Sequence, residues 1–304
     1  MNSTLMFGLT HTISQYCSKW IPFESEPGDR TSRCPKDVSQ AECREALSSL
    51  RRMNPDLEMV IRFRQTKESV SVEAFCDLFR QEMHRITAAG GHYITFNSIH
   101  YPESLRTIGD PPMALFVLGD LSLLTKTCMG VIGSRKASAY AQQTTRDLAL
   151  SLALSGVTIV SGGAFGCDSF AHWGALQCPK DPVPTIVVCA GGLQRLYPSG
   201  NYNLFSMIRK RGGIFLSEKF WNYQPRPFDF PIRNRLVSGL SEKVFVMQAA
   251  LTSGAMITAN LALDQGKDVW VLKHPSGDVR ASGNEKLISE GATFFENHRQ
   301  VINK

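Results

Sequence analysis

No stretch of this 304-residue chain approaches 18 uninterrupted apolar residues, so the sequence holds no candidate membrane span. Its opening, Met-Asn-Ser-Thr-Leu-Met-Phe-Gly, has neither a basic region nor a long apolar core, which argues against a secretory signal. The eight cysteines (Cys17, Cys34, Cys43, Cys76, Cys128, Cys167, Cys178 and Cys189) form no C-x-x-C pair, and no Cys/His set has metal-ligand spacing. Several sit in apolar runs, as Cys189 does in Thr-Ile-Val-Val-Cys-Ala, and read as reduced thiols of a cytoplasmic protein. No metal or cofactor is implied. Also missing are the G-x-x-x-x-G-K-S/T loop of P-loop ATPases and the G-x-S-x-G elbow of serine hydrolases. There is no internal repeat and no low-complexity tract.

What remains is a chain with 43% hydrophobic and 20% charged residues, a balance that suits a soluble globular protein. A net charge of +6 leans toward an anionic partner, although an ordinary basic protein carries as much. Residues 1–38 lack periodicity and are rich in Ser, Pro, Gly and charge, as expected of an irregular N-terminal extension. From Ser39 apolar residues recur at helical spacing, among them Leu47, Leu50, Met53 and Leu57, then Phe75, Leu78, Phe79 and Met83. These predict a small helical module over 39–90, broken at Gly90-Gly91. The main domain is expected over 91–304.

Within it, Ala114–Leu118 reads as an edge or entry strand, and an alternating series follows. Strands are predicted at Met129–Ile132, Val157–Val160, Thr185–Cys189, Ile214–Leu216, Val244–Gln248 and Asp268–Leu272. Helices are predicted at Ser138–Leu154, Asp168–Leu176, Asn201–Arg211 and Thr258–Gln265. Strands alternating with helices imply parallel strands joined by right-handed crossovers, hence an α/β doubly wound open sheet.

Ligands of such sheets bind beyond the carboxyl ends of the strands. Gly133, Ser134 and Arg135 follow the first strand of the series. The loop Ser161-Gly-Gly-Ala-Phe-Gly-Cys-Asp168 follows the second, with Gly162, Gly163 and Gly166 leaving the backbone bare at a helix N-terminus, an arrangement that favours an anion. Gly191, Gly192, Tyr197 and Asn201 follow the third strand, Ser217 to Lys219 the fourth, and Ser253 and Gly254 the fifth. The connection from Phe220 to Leu240 interleaves Trp221, Tyr223, Phe228 and Phe230 with Arg226, Arg233, Asn234 and Arg235. From Arg209 to Lys243 eight basic residues face three acidic ones, an excess of five in one segment. Arginine forks suit phosphates, and aromatic faces suit stacked bases of a single strand. A solvated loop with aromatics capping the sheet would carry the same composition.

Enzyme chemistry finds less support. A dinucleotide site needs G-x-G-x-x-G after the first strand, where Gly133-Ser134-Arg135 stands instead. Asp168 and His172 share a helix face and suit either an acid–base pair or helix capping and packing. Cys167, in the glycine loop, is either a reactive thiol or a packed one.

Together these residues resemble the DNA-processing protein A family (DprA/Smf). The similarity rests on Gly133-Ser134-Arg135, the Ser161–Asp168 loop with Ala171-His172, Tyr197-Pro198 with Asn201, Phe230-Pro231-x-Arg233-Asn234-Arg235, Ser253-Gly254, and Gly283-Asn284 with Glu290-Gly291-Ala292. It covers about residues 93–295, and the F-P-x-R-N-R block is its most specific part. The resemblance implies an extended Rossmann-like fold and a cytoplasmic, dimeric protein. It further implies one that binds single-stranded DNA and loads RecA recombinase in natural transformation, without being an enzyme. By position it implies DNA binding by Gly133, Ser134, Arg135, Gly162, Gly163, Gly166, Phe230, Arg233, Asn234, Arg235, Ser253 and Gly254. The N-terminal module is loosely similar to the family's SAM-like domain, and no winged-helix domain is expected after the sheet. Phe165 and Cys167 replace the arginine and isoleucine usual in the loop, and Gln248-Ala249 replaces the usual Glu-Ala. The alternatives are a Rossmann-fold nucleotide sensor or a phosphoribohydrolase-like enzyme acting on a small nucleotide. The signature P-G-G-x-G-T-x-x-E of the latter is not met, since no Glu lies between Ser169 and Gly174.

Overall fold

A computed structural model describes residues 81–112 and 114–302. The expected extension (1–38) and the expected helical module as far as residue 80 lie outside the described residues. Nine strands form one sheet: β1 (Gly91–Thr95), β2 (Ala114–Leu118), β3 (Cys128–Ile132), β4 (Thr158–Ser161), β5 (Thr185–Val188), β6 (Ile214–Ser217), β7 (Lys243–Val246), β8 (Asp268–Leu272) and β9 (Thr293–Phe295). Their order is β1-β2-β6-β5-β4-β3-β7-β8-β9. The β1–β2 and β2–β6 pairings are antiparallel and the other six are parallel. The helices are α1 (81–88), α2 (Glu103–Arg106), α3 (Ala139–Leu154), α4 (Cys167–Leu176), α5 (Tyr202–Lys210), α6 (Asp229–Leu240), α7 (Gly254–Asp264), α8 (Ser282–Ser289) and α9 (Arg299–Ile302).

The period of two along each strand sorts the core into two layers. Val131, Ile159 and Phe245 turn to one face, where Leu148, Ala149 and Leu152 of α3 and Ala171 and Ala175 of α4 cover them. Their neighbours Ile132, Val160, Val244 and Val246 turn to the other face, under Leu236, Val237 and Leu240 of α6 and Ala255, Met256 and Ala259 of α7. Each fully covered Leu or Val contributes about 1.5–3 kcal/mol of apolar burial. Strands buried on both faces read as continuous apolar runs, which is why the parallel ones stand out in the sequence. The doubly wound, extended Rossmann-like architecture expected from the sequence is the one found. Ser138 caps α3, its hydroxyl accepting the Ala141 N–H at 3.2 Å.

Three elements, α6, β1 and β9, were not expected from the sequence. The Phe220–Leu240 connection contains a twelve-residue helix, α6. Its Pro231 sits in the first turn, where a missing N–H breaks no intrahelical bond, and its apolar stripe is confined to the second half. The edge strands β1 and β9 are short and half exposed, too weakly patterned to read from the sequence. The described end of the expected helical module, α1, packs against the sheet. Met83 and Ile86 pack with Phe116, Leu118 and Leu204, while the Glu82 carboxylate accepts from Trp221 N–H and from Arg85 Nη1.

Candidate nucleic-acid interface

The parallel strands β3, β4, β5, β6 and β7 end on one edge, so five connections crest side by side. The order runs outward from β3 through β4 to β6, then jumps back across β3 to β7, so the crevice of a doubly wound sheet opens here. The turn after β3 is held from its flank. Ser134 O accepts the Cys167 N–H at 3.1 Å, and Ser134 Oγ accepts the Lys136 N–H at 3.1 Å. The first amide of α4 is therefore engaged within the protein, which narrows the anion site that the bare glycine loop promises.

Gly166 makes this contact possible. Its φ of 74° lies in the left-handed region, and a Cβ there would stand 2.1 Å from Ser134 O. Gly162 is small for a different reason: a Cβ would lie 2.7 Å from Arg233 Nη2 and 2.9 Å from Asp168 Oδ2. Gly163 packs inward, its carbonyl accepting from Asn201 Nδ2 at 2.9 Å. Asp168 Oδ2 accepts the Ala164 N–H at 3.2 Å. Burial raises the Asp168 carboxyl above its ordinary value, and the nearby Arg233 guanidinium opposes that shift.

Arg233 is 7% exposed and reaches from α6 beneath the glycine loop, its Nη1 donating to the carbonyls of Gly162 (2.9 Å) and Val188. Its Nε donates to Asn234 Oδ1 at 3.2 Å, and Asn234 Nδ2 reaches toward Gly254 O at 3.5 Å, which brings the start of α7 beside the same helix. One turn before Arg233, Phe230 lies half-buried between Arg135, whose Cζ is 5.5 Å from its ring centre, and Tyr197, whose ring centre is 5.6 Å away in an edge-to-face arrangement. A shallow cleft opens here, with Gly162, Gly191, Arg195, Tyr197, Phe230 and Arg233 in its lining. Tyr197 is exposed, as is Phe165 of the glycine loop. The structure thus gathers Gly133, Ser134, Arg135, Gly162, Gly163, Gly166, Phe230, Arg233 and Asn234 at one rim, with Ser253 and Gly254 alongside.

Arg235, expected to offer a fork to a phosphate, is instead engaged by carboxylates. Residues 233 and 235 lie on opposite sides of α6. The Arg235 Nη1 and Nη2 groups donate to both Glu218 oxygens at 2.8 and 2.6 Å, and its Nε donates to Asp110 at 3.0 Å. The basic segment from Arg209 to Lys243 does not converge either. Arg211 pairs with Asp181 and Lys219 with Asp229, while Arg209 and Lys210 end α5 at the opposite edge of the sheet. The exposed cations of the rim are Arg135, Lys136, Arg195 and Arg226, and none has a carboxylate within ion-pair distance among the described residues. Lys136 and Arg195 were missed as site residues because neither belongs to a recognisable motif: Lys136 merely follows Arg135, and Arg195 is a lone cation in the connection after β5.

The groups weighed for catalysis are packed away. His172 is fully buried and bonds Thr185 Oγ1 through Nδ1 at 2.7 Å rather than Asp168. Burial lowers its pKa to about 3. Burial likewise pushes the thiols of Cys167 and Cys189 up to about 12, so neither is a thiolate at neutral pH. Among the described residues no group of His, Cys, Asp or Glu could hold a metal ion, and no helix is long and apolar enough to cross a membrane.

The profile of the family described as DNA recombination-mediator protein A matches residues 92–304. Protein Smf of Escherichia coli (strain K12) is 38% identical over 211 residues, covering 69% of this chain and 56% of the relative. DNA processing protein DprA of Bacillus subtilis (strain 168) is 39% identical over 219 residues, covering 70% and 72%. This chain therefore spans little more than half of the E. coli protein. Among solved structures, DNA processing protein A from Streptococcus pneumoniae superposes with a TM-score of 0.68 at 30% identity, covering 82% of this chain and 85% of that one. DNA processing protein A from Helicobacter pylori, described for its single-stranded DNA binding mode, gives 0.63 at 34%, covering 71% and 96%.

Proposed function

This chain belongs to the DNA recombination-mediator protein A family, and on that premise we propose that its rim binds single-stranded DNA without turnover. One observation carries the proposal: the Arg135 guanidinium, without a carboxylate partner, lies over the Phe230 ring, with Tyr197 beyond it. A cation beside aromatic faces takes a phosphate and its neighbouring base together, in a way that tolerates any sequence. Arg135, Lys136, Arg195 and Arg226 would follow the backbone, and Ser134, Asn234, Ser253 and Gly254 would supply neutral donors. Gly162, Gly163, Gly166 and Arg233 would act by shaping the floor. The single-stranded DNA binding described for the H. pylori relative supports the same assignment.

The cellular role that fits is protection of incoming DNA and loading of RecA recombinase onto it during natural transformation, by a homodimer in the cytoplasm. The match to DNA processing protein DprA of B. subtilis supports that role, and the free thiols of Cys128, Cys167, Cys178 and Cys189 suit a reducing compartment.

Fluorescence anisotropy with labelled oligothymidine, an equal-length duplex and a mononucleotide tests the binding step. Single strands should bind tightest, with log affinity falling linearly in log salt concentration as counterions are released. Tight binding of the mononucleotide with none of the oligomer would replace DNA by a small nucleotide as the ligand.

A further inference from the structure

Both ends of the turn that carries Arg135 are tied to one buried side chain and its backbone, those of Gln248 at the end of β7. Ser134 N–H donates to Gln248 O at 2.6 Å, and Ser138 N–H donates to Gln248 Oε1 at 2.8 Å. The amide nitrogen of Gln248 faces the other way, donating to Asp278 Oδ2 at 3.0 Å and approaching Ser138 Oγ at 3.3 Å. Gln248 is 0% exposed. Every polar atom of this side chain is thus used. It bridges the turn after β3 to Asp278 in the loop after β8.

The chemistry at this position is directional. The oxygen must accept from the Ser138 N–H, and the other end must donate to a carboxylate; an amide satisfies both neighbours at any pH, whereas a carboxyl group does so only while it holds a proton. Asp278 is held charged by Arg280, whose Nε and Nη2 bond its two oxygens at 2.9 and 3.2 Å, and it faces His274 Nδ1 at 3.8 Å. His274 Nε2 bonds Met247 O, so the Nδ1 edge turned toward Asp278 is the acceptor edge while the ring is neutral.

We propose that Gln248 is the positioning residue of the nucleic-acid site: through the Ser134 and Ser138 amides it fixes the 134–138 turn, and with it the place of the Arg135 guanidinium over Phe230. The assignment rests on the rim as the DNA-binding surface. Gln248 touches no ligand itself.

Four proteins separate the possibilities: the parent, Gln248→Ala, Arg135→Ala and the double variant, each titrated with labelled oligothymidine. Arg135→Ala should weaken binding, and Gln248→Ala should weaken it about tenfold, the size of one or two lost buried hydrogen bonds. In the Arg135→Ala background the Gln248 effect should vanish, because there is no guanidinium left to place. Additive losses, or full affinity in Gln248→Ala, would overturn the assignment while leaving the rim intact. Parent-like binding by Arg135→Ala would instead remove the rim itself, and the assignment with it.

A second pair of variants covers the case in which Gln248→Ala unfolds. Gln248→Glu keeps the acceptor for Ser138 N–H but sets two carboxylates about 3 Å apart, one of which must hold a proton. Its affinity relative to the parent should fall as pH rises from 5 to 8. Adding Asp278→Asn, which restores a donor opposite the carboxylate, should abolish that dependence. A pH-independent ratio for Gln248→Glu would count against the proposal.

Discussion

The Arg135 guanidinium rests 5.5 Å from the centre of the Phe230 ring, although 95 positions separate the two in the chain. The contact joins the turn after β3 to the first turn of α6 and defines the rim on which the proposed function depends. Two arginines of similar appearance in the sequence, Arg135 and Arg235, consequently have opposite prospects.

Arg135→Ala should lower affinity for every oligonucleotide sequence by about 1–3 kcal/mol and reduce the salt slope by about 0.7, the release expected for one phosphate contact on a single strand. Arg235→Ala should leave that slope unchanged. It should instead destabilise the fold by about 2 kcal/mol, because Glu218, bonded through both oxygens, is left without its partner. Anisotropy across salt concentrations and urea denaturation read the two effects separately. A reduced salt slope in Arg235→Ala would show that its fork is available to the ligand after all.

Phe230 should matter through its π-face rather than its volume. Phe230→Leu keeps apolar packing yet removes the stacking surface, and should lose about 1–3 kcal/mol of oligothymidine affinity with little change in salt slope. Phe230→Tyr should bind like the parent. Equal affinity of the Leu variant would mean that the ring only caps the sheet.

Gly166→Ala places a methyl group 2.1 Å from Ser134 O at a φ of 74°. The glycine loop and the turn after β3 must then separate. A loss of stability of at least about 2 kcal/mol is expected in chemical denaturation, accompanied by weaker DNA binding. Gly254→Ala, where nothing lies within 4 Å of the added Cβ, is the matched control and should change stability little.

His172 makes stability depend on pH in a defined window. Its pKa falls from an ordinary 6.5 to about 3 on burial, so between those values the unfolded chain binds a proton that the folded one does not. Stability is complete above pH 6.5 and should fall as pH drops toward 3, with a contribution of about 1.4 kcal/mol per pH unit. The difference between the parent and His172→Asn in urea melts from pH 7 to 4 isolates this contribution. Identical slopes would place the missing proton elsewhere.

The sequence by itself determined the doubly wound sheet. Each parallel strand is buried on both faces and therefore had to be a short run such as Thr185-Ile-Val-Val188, while helices such as α3 announced themselves through a cap at Ser138 and a leucine stripe. It also determined which connections reach the rim, because β-α alternation puts every post-strand loop at one edge. Only the tertiary structure decided what each side chain there is free to do. Arg233 and Arg235 look alike two positions apart, but α6 turns by about 200° between them, sending one beneath the glycine loop and the other to Glu218. The basic run from Arg209 to Lys243 looked like one patch, but the crossover through β6 carries its beginning to the far edge of the sheet. Cations such as Arg135 and Arg195, 60 positions apart, share one rim only because the connections after parallel strands crest side by side, a proximity that linear order does not contain.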